Sequence, residues 1–95
     1  MKLVNTIFEN YKLEADESGK LVGFQIDGKE VFRLNDTVRV TDDGHGYICP
    51  GIKKPGIGRI AEIREADTDH FFGIMMENGD FGYTKLARIS RLKVS

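Results

Sequence analysis

His70-Phe71-Phe72-Gly73-Ile74-Met75-Met76-Glu77-Asn78-Gly79-Asp80-Phe81-Gly82-Tyr83-Thr84 is the stretch whose reading decides the fold. Its first part is the most apolar run in the chain and is rich in strand-forming residues. Asn78-Gly79 is the favoured pair for a two-residue hairpin, because both residues tolerate the positive φ that such a turn demands. Asp80-Phe81-Gly82-Tyr83-Thr84 then runs back as the partner strand. On a two-residue turn, Met76 meets Phe81 and Ile74 meets Tyr83.

Outward from this hairpin the same grammar repeats. Upstream, Ile60, Ala61 and Ile63 mark another strand, closed by Ala66-Asp67-Thr68-Asp69. Downstream, Lys85-Leu86-Ala87-Arg88-Ile89 reads as a single helical turn and Arg91-Leu92-Lys93-Val94 as a closing strand. Thr37-Val38-Arg39-Val40-Thr41 alternates cleanly, with Val38 and Val40 inward. A long segment from Asp42 to Gly58 holds five glycines and both prolines, and long loops in compact domains tend to be functional.

Nearer the N-terminus, Leu21 to Ile26 and Lys29 to Leu34 flank Asp27-Gly28, a second tight-turn pair. That turn would set Ile26 opposite Lys29, Phe24 opposite Val31 and Val22 opposite Arg33, burying Val22, Phe24, Ile26 and Val31 on one face. Tyr11 to Ala15 alternates apolar and polar ahead of the turn residues Asp16-Glu17-Ser18-Gly19. Leu3, Val4, Ile7, Phe8 and Tyr11 fall on one face of a short helix over roughly 2–10, with a strand as the rival reading because Val4, Thr6 and Ile7 are β-branched. This stripe either docks on the domain's own core or is exposed to bind a partner or a second copy, so both monomer and homodimer are open.

Composition sets the outer limits. With 95 residues, 40% hydrophobic and 31% charged, the chain can build one core and is unlike a disordered sequence. Its net charge is −1: nine acids and six bases before residue 51 make −3, and six acids and eight bases after it make +2. So near-neutral a chain is not built for wholesale electrostatic wrapping of nucleic acid, although a local basic face is compatible with it. The single cysteine, Cys49, leaves no internal disulfide and points to a reducing compartment. The N-terminal residues lack the apolar run of a signal peptide, and no stretch has the length to span a bilayer. The expectation is a cytoplasmic location with no membrane partner.

The segment from Asn35 to Val94 resembles an SH3-like small barrel of the KOW, Tudor or photosystem-accessory kind. The likeness is carried by Asn35-Asp36-Thr37-Val38-Arg39-Val40, Gly56-Ile57-Gly58-Arg59-Ile60-Ala61-Glu62-Ile63, Phe72-Gly73-Ile74-Met75-Met76-Glu77-Asn78-Gly79 and Arg88-Ile89-Ser90-Arg91-Leu92. It implies a mainly β domain: an SH3-like barrel over 35–95, preceded by a short N-terminal helix and a β-hairpin extension over 1–34, all in a single domain. Barrels of this kind bind peptides, RNA, modified residues or partner subunits. The chain has no Trp and lacks the acidic, aromatic-rich loop of proline-peptide-binding SH3 domains and the aromatic cage of methyl-residue readers.

Candidate chemistry is sparse. His45, Cys49 and His70 are the only soft metal ligands, and no second pair completes a structural zinc set. Cys49 as a nucleophile would need a base, for which His45 is the candidate. Gly44-His45-Gly46 and Gly56-Ile57-Gly58 complete neither a dinucleotide fingerprint nor a Walker loop. Asp42-Asp43 and the Asp67/Asp69 pair sit in turns, the usual place of solvated acids. The expectation is therefore no enzyme, no cofactor and no metal. The leading reading is a non-catalytic binding or regulatory protein engaging another protein, of the phage-type inhibitor or accessory-subunit kind, through Tyr47, Ile48, Ile52, Lys53 and Lys54. The alternative is a KOW-like nucleic-acid binder using Lys53, Lys54, Arg59, Arg88 and Arg91.

Overall fold

The computed structural model describes residues 11–65 and 70–92. Strand accounts for 54% of these residues and helix for 4%, so the protein is mainly β. The elements are β1 (Tyr11–Ala15), β2 (Leu21–Ile26), β3 (Lys29–Arg33), β4 (Thr37–Val40), β5 (Gly56–Ile63), β6 (Phe72–Met76), β7 (Phe81–Thr84), a 3-10 turn (Leu86–Arg88) and β8 (Ile89–Arg91). They form a three-stranded sheet, β1-β2-β3, and a five-stranded sheet in the order β7-β6-β5-β4-β8, antiparallel throughout. The helix expected over 2–10 lies outside the described residues.

Local chemistry explains the turns. The Asp16 carboxylate accepts from the Ser18 amide and hydroxyl and from the Lys20 amide, which closes the β1–β2 turn. The Ser18 hydroxyl, with these amides, holds the Asp16 pKa below the usual carboxylate value. Asp27 (φ 53) and Gly28 (φ 80) form the expected mirror-type turn between β2 and β3. Ile26 faces Lys29 as anticipated, but an irregularity between Phe24 and Gln25 leaves Val31 as the extra residue. Phe24 therefore faces Phe32 rather than Val31, and Arg33 faces Gly23 rather than Val22. The bulge buries Phe32 in place of Val31, which stays half-buried.

The hairpin of β6 and β7 departs further. Asn78 does not take positive φ, whereas Gly79 does (φ 96), so the turn is a three-residue loop ending in a glycine bulge. Met75, not Met76, pairs with Phe81, and Gly73, not Ile74, pairs with Tyr83. A one-residue slip moves a whole strand to the other face. Phe81 and Tyr83 thus leave the core side, and Gly82 and Thr84 take it.

The core lies between the two sheets. From the five-stranded sheet come Val38, Val40, Ile60, Ile63, Phe72, Ile74, Met76 and Ile89. An irregularity at Ala61 lets both Ile60 and Ile63 point inward although they are three apart. From the three-stranded sheet come Phe24 and Phe32, whose rings meet Phe72 edge-on at 5.1 and 5.4 Å. Tyr11 stacks on Phe24 at 5.7 Å and Phe71 leans on both. The hairpin is therefore part of the core rather than an appendage. Truncating Phe24 or Phe72 to Ala would cost about 3–5 kcal/mol.

The sheets do not close into the barrel implied for residues 35–95. Closure would require β7 and β8 to meet, yet they are the two opposite edges of one sheet. Among the described residues β8, only three residues long, pairs with β4 alone, and the three-stranded sheet covers the inner face.

Candidate interaction site

The segment between β4 and β5 is ordered from within. Asp43 accepts the amides of His45 and Tyr47 at 2.7 and 3.2 Å, which also lower its pKa below the usual carboxylate value. Ile48, Cys49 and Ile52 are buried, and a bridge joins Cys49 to Ile52. Cys49 and Ile52 rest where β7 turns Gly82 inward: a Cβ there would lie 2.7 Å from Cys49 Sγ and 3.2 Å from Ile52 Cγ1. The slip in the β6–β7 register thus makes room for the loop.

This arrangement divides the residues expected to touch a protein. Tyr47 (55% exposed), Lys53 and Lys54 lie on the surface. The side chains of Ile48 and Ile52 belong to the core, at 3% and 1% exposure. The basic residues expected to meet nucleic acid are also divided. Arg59 pairs across to Thr37 on the face away from the core and donates to Asn35 Oδ1 at 3.2 Å. Half-buried Arg88 donates to the Asp42 carbonyl at 2.8 Å. Arg91 pairs with inward-facing Val38 and sits 3.8 Å from Asp36. Arg59 and Arg91 therefore start from opposite sides of the sheet.

The face turned away from the core carries the group that stands out. One cross-strand row reads Phe81, Met75, Arg59, Thr37, and the next begins Tyr83, Gly73. Ile57, Arg39 and Ser90 form a further row. Met75 is 38% exposed, and Phe81, Tyr83 and Ile57 are half-buried. Gly73 leaves the space the rings occupy: a Cβ there would lie 2.9 Å from Phe81 and 3.1 Å from Tyr83. The two rings meet edge-to-face at 5.3 Å. The Arg64 guanidinium lies over Tyr83 at 3.7 Å from the ring centre, a cation–π contact, and its Nε donates to the His70 carbonyl at 3.2 Å. Tyr83 donates its hydroxyl to Glu62 at 2.6 Å, and this bond raises the phenol pKa. At this end of the sheet a groove of about 440 Å³ opens, lined by Pro50, Arg64, His70, Phe81, Gly82 and Tyr83.

Burial pushes the Cys49 thiol pKa up, which opposes the thiolate a nucleophile needs, and His45 lies out on the exposed loop. Among the described residues no group of three or more His, Cys, Asp or Glu is placed to hold a metal ion. Asp67 and Asp69 lie outside the described residues. Among the described residues no helix is long and apolar enough to cross a membrane.

Sequence reasoning paired Phe81 with Met76 and Tyr83 with Ile74, one residue out of the observed register, and so did not assemble this patch. The signal that locates it is the alternation of Gly82 and Thr84 with the two rings, once Gly79 is read as a bulge. No family model, curated protein or solved structure matches the chain.

Proposed function

We propose that this chain is a non-catalytic binding domain whose partner is another protein. The observation that carries the reading is the outer face of the five-stranded sheet, where Arg59 pairs with Met75, Arg64 stacks on Tyr83 beside Phe81, and Arg39 lies further along the same face. Phe, Tyr, Met and Arg are the residue types enriched at protein interfaces. An apolar patch rimmed by polar groups marks an interaction surface. Tyr47, Lys53 and Lys54 of the loop extend the candidate surface.

The SH3-like reading of residues 35–95 enters this proposal as an order of elements, without the closed barrel. It is supported by the order of elements: an opening strand, a long loop, a meander, a 3-10 turn, and a last strand returning to pair with the first. A phage-type inhibitor or an accessory subunit fits such a domain, in a cytoplasmic setting.

The test is capture from nuclease-treated lysate by the tagged chain and by a Met75→Glu variant of equal thermal stability. A protein retained by the wild type and lost by the variant supports the reading. Capture that disappears with nuclease, or no protein capture at all, overturns it, whereas protein capture equal for both chains moves the contact from this face to the loop at Tyr47, Lys53 and Lys54. The alternative of a KOW-like nucleic-acid binder draws support from Arg39 and Arg59 sharing a face with stacking-competent rings. It predicts binding to single-stranded oligonucleotides that weakens steeply with salt.

A further inference from the structure

The hydrogen-bonding phase of β7 singles out one part of its edge. The Met76 amide donates to the Asp80 carbonyl, so two residues along in each strand the bonded pairs are Ile74–Gly82 and then Phe72–Thr84. The amides and carbonyls of Phe81 and Tyr83 therefore point away from β6, at the free edge of the sheet. At Phe81 that edge is already covered, because the Gly51 backbone packs on its carbonyl so closely that a Cβ would lie 2.2 Å away. At Tyr83 no described residue bonds it, and it lies in the groove lined by Pro50 and Arg64.

This edge also lacks the usual protection. Free edges are commonly blunted by charge. β1 carries Lys12 and Glu14, β3 carries Lys29, Glu30 and Arg33, and three-residue β8 ends on Arg91. β7, Phe81-Gly82-Tyr83-Thr84, carries no charge.

The groove has its own cation. The ion pairs among the described residues use Arg33 and Arg91, not Arg64. Half-buried Arg64 is held in place by the Tyr83 ring and the His70 carbonyl, so little side-chain freedom remains to be lost on binding. The Glu62 carboxylate accepts the Tyr83 hydroxyl, and the Asp80 carboxylate accepts the Lys53 amide and Asn78.

We propose that the open edge of β7 receives a short, extended, acidic segment of a partner protein, which adds as a strand beside Tyr83 and sets a carboxylate on Arg64. Its backbone bonds the Tyr83 amide and carbonyl, and its neighbouring side chain lies between Pro50 and the Phe81 ring. This is strand addition, in which backbone bonds supply affinity and the flanking groups supply selectivity. The inference rests on the protein-binding reading above and names the mode of recognition.

The test selects random peptides displayed on phage against the whole chain, then maps the tightest as a synthetic peptide by amide exchange. The expected peptides are rich in Asp or Glu. With peptide at tenfold its dissociation constant, exchange at Tyr83 slows about tenfold, while Gly82 and Thr84, already bonded to β6, hardly change. Arg64→Gln weakens binding by about tenfold or more, and Arg64→Lys by less, at unchanged wild-type-like melting. Peptides without acidic bias, unchanged exchange at Tyr83, or no enrichment overturn the inference. A lysate partner that is still captured but protects only residues 42–55 also overturns it, while leaving the protein-binding reading intact. Loss of all protein capture instead removes the reading itself. Protection of Tyr83 by single-stranded oligonucleotide alone assigns the edge to nucleic acid and rejects the peptide.

Discussion

Replacing Gly51 with Ala tests how the long loop is held. Gly51 has φ +105, and a Cβ there would lie 2.2 Å from the Phe81 carbonyl oxygen and 3.3 Å from its carbon. Gly46, in the same loop, has φ +88 with nothing within 4 Å of the same position. Both substitutions carry the backbone strain of a Cβ at positive φ, about 1 kcal/mol. Only Gly51→Ala adds a collision with backbone, about an ångström inside an ordinary C···O contact. The loop must then lift from β7, exposing part of Cys49 and Ile52, which are 2% and 1% accessible. Partial loss of two such side chains costs about 2 kcal/mol more. The expected penalties are about 1 kcal/mol for Gly46→Ala and about 3 kcal/mol for Gly51→Ala. At about 4–8 °C per kcal/mol for a domain of this size, the melting points separate by at least about 8 °C. Urea unfolding of both variants at neutral pH gives the energies directly. Penalties within about 0.5 kcal/mol of each other would refute the packing of the loop against β7.

Thr84 is fully buried with its hydroxyl unpartnered, so Thr84→Val should stabilise the protein by about 1 kcal/mol. A loss of stability in urea would mean that the hydroxyl is bonded after all. Cys49 and Tyr83 both have raised pKa values, Cys49 through burial and Tyr83 through its bond to Glu62. Each favours its protonated form in the fold, so its contribution is whole below the unfolded-state pKa and is lost as pH rises through the folded one. Stability should therefore decline from about pH 8.5 upward, in two stages, the second above about pH 10. A Cys49→Ala variant should lose the first stage, and an unchanged alkaline profile would contradict the assignment. Thiol reagents should label Cys49 only as fast as the protein opens, and labelling at the rate of a free thiol would show it to be exposed.

Much of the secondary structure was legible because it rests on local chemistry. Asp27-Gly28 accepts the two positive φ values of a tight turn, Asp16 gathers amides around itself, and the Val38/Val40 alternation marks its own buried face. The absence of a paired metal set or complete phosphate loop was equally a property of the linear chain. Register was not, because sliding one strand by one residue re-pairs the ladder with nearly the same number of backbone bonds and mainly changes which side chains are buried. Asn78-Gly79 accommodates either a two-residue turn or a bulged three-residue loop. The choice falls to contacts far away in sequence, where Cys49 and Ile52 need the space that Gly82 leaves on the inner face. The same contacts withdraw Ile48 and Ile52 from the surface and send Phe81 and Tyr83 out to it. Sequence by itself determined a small β domain with glycine-punctuated hairpins. Tertiary packing decided which face of β7 meets solvent, and with it where a partner can bind, because burial is shared among segments that no local pattern connects.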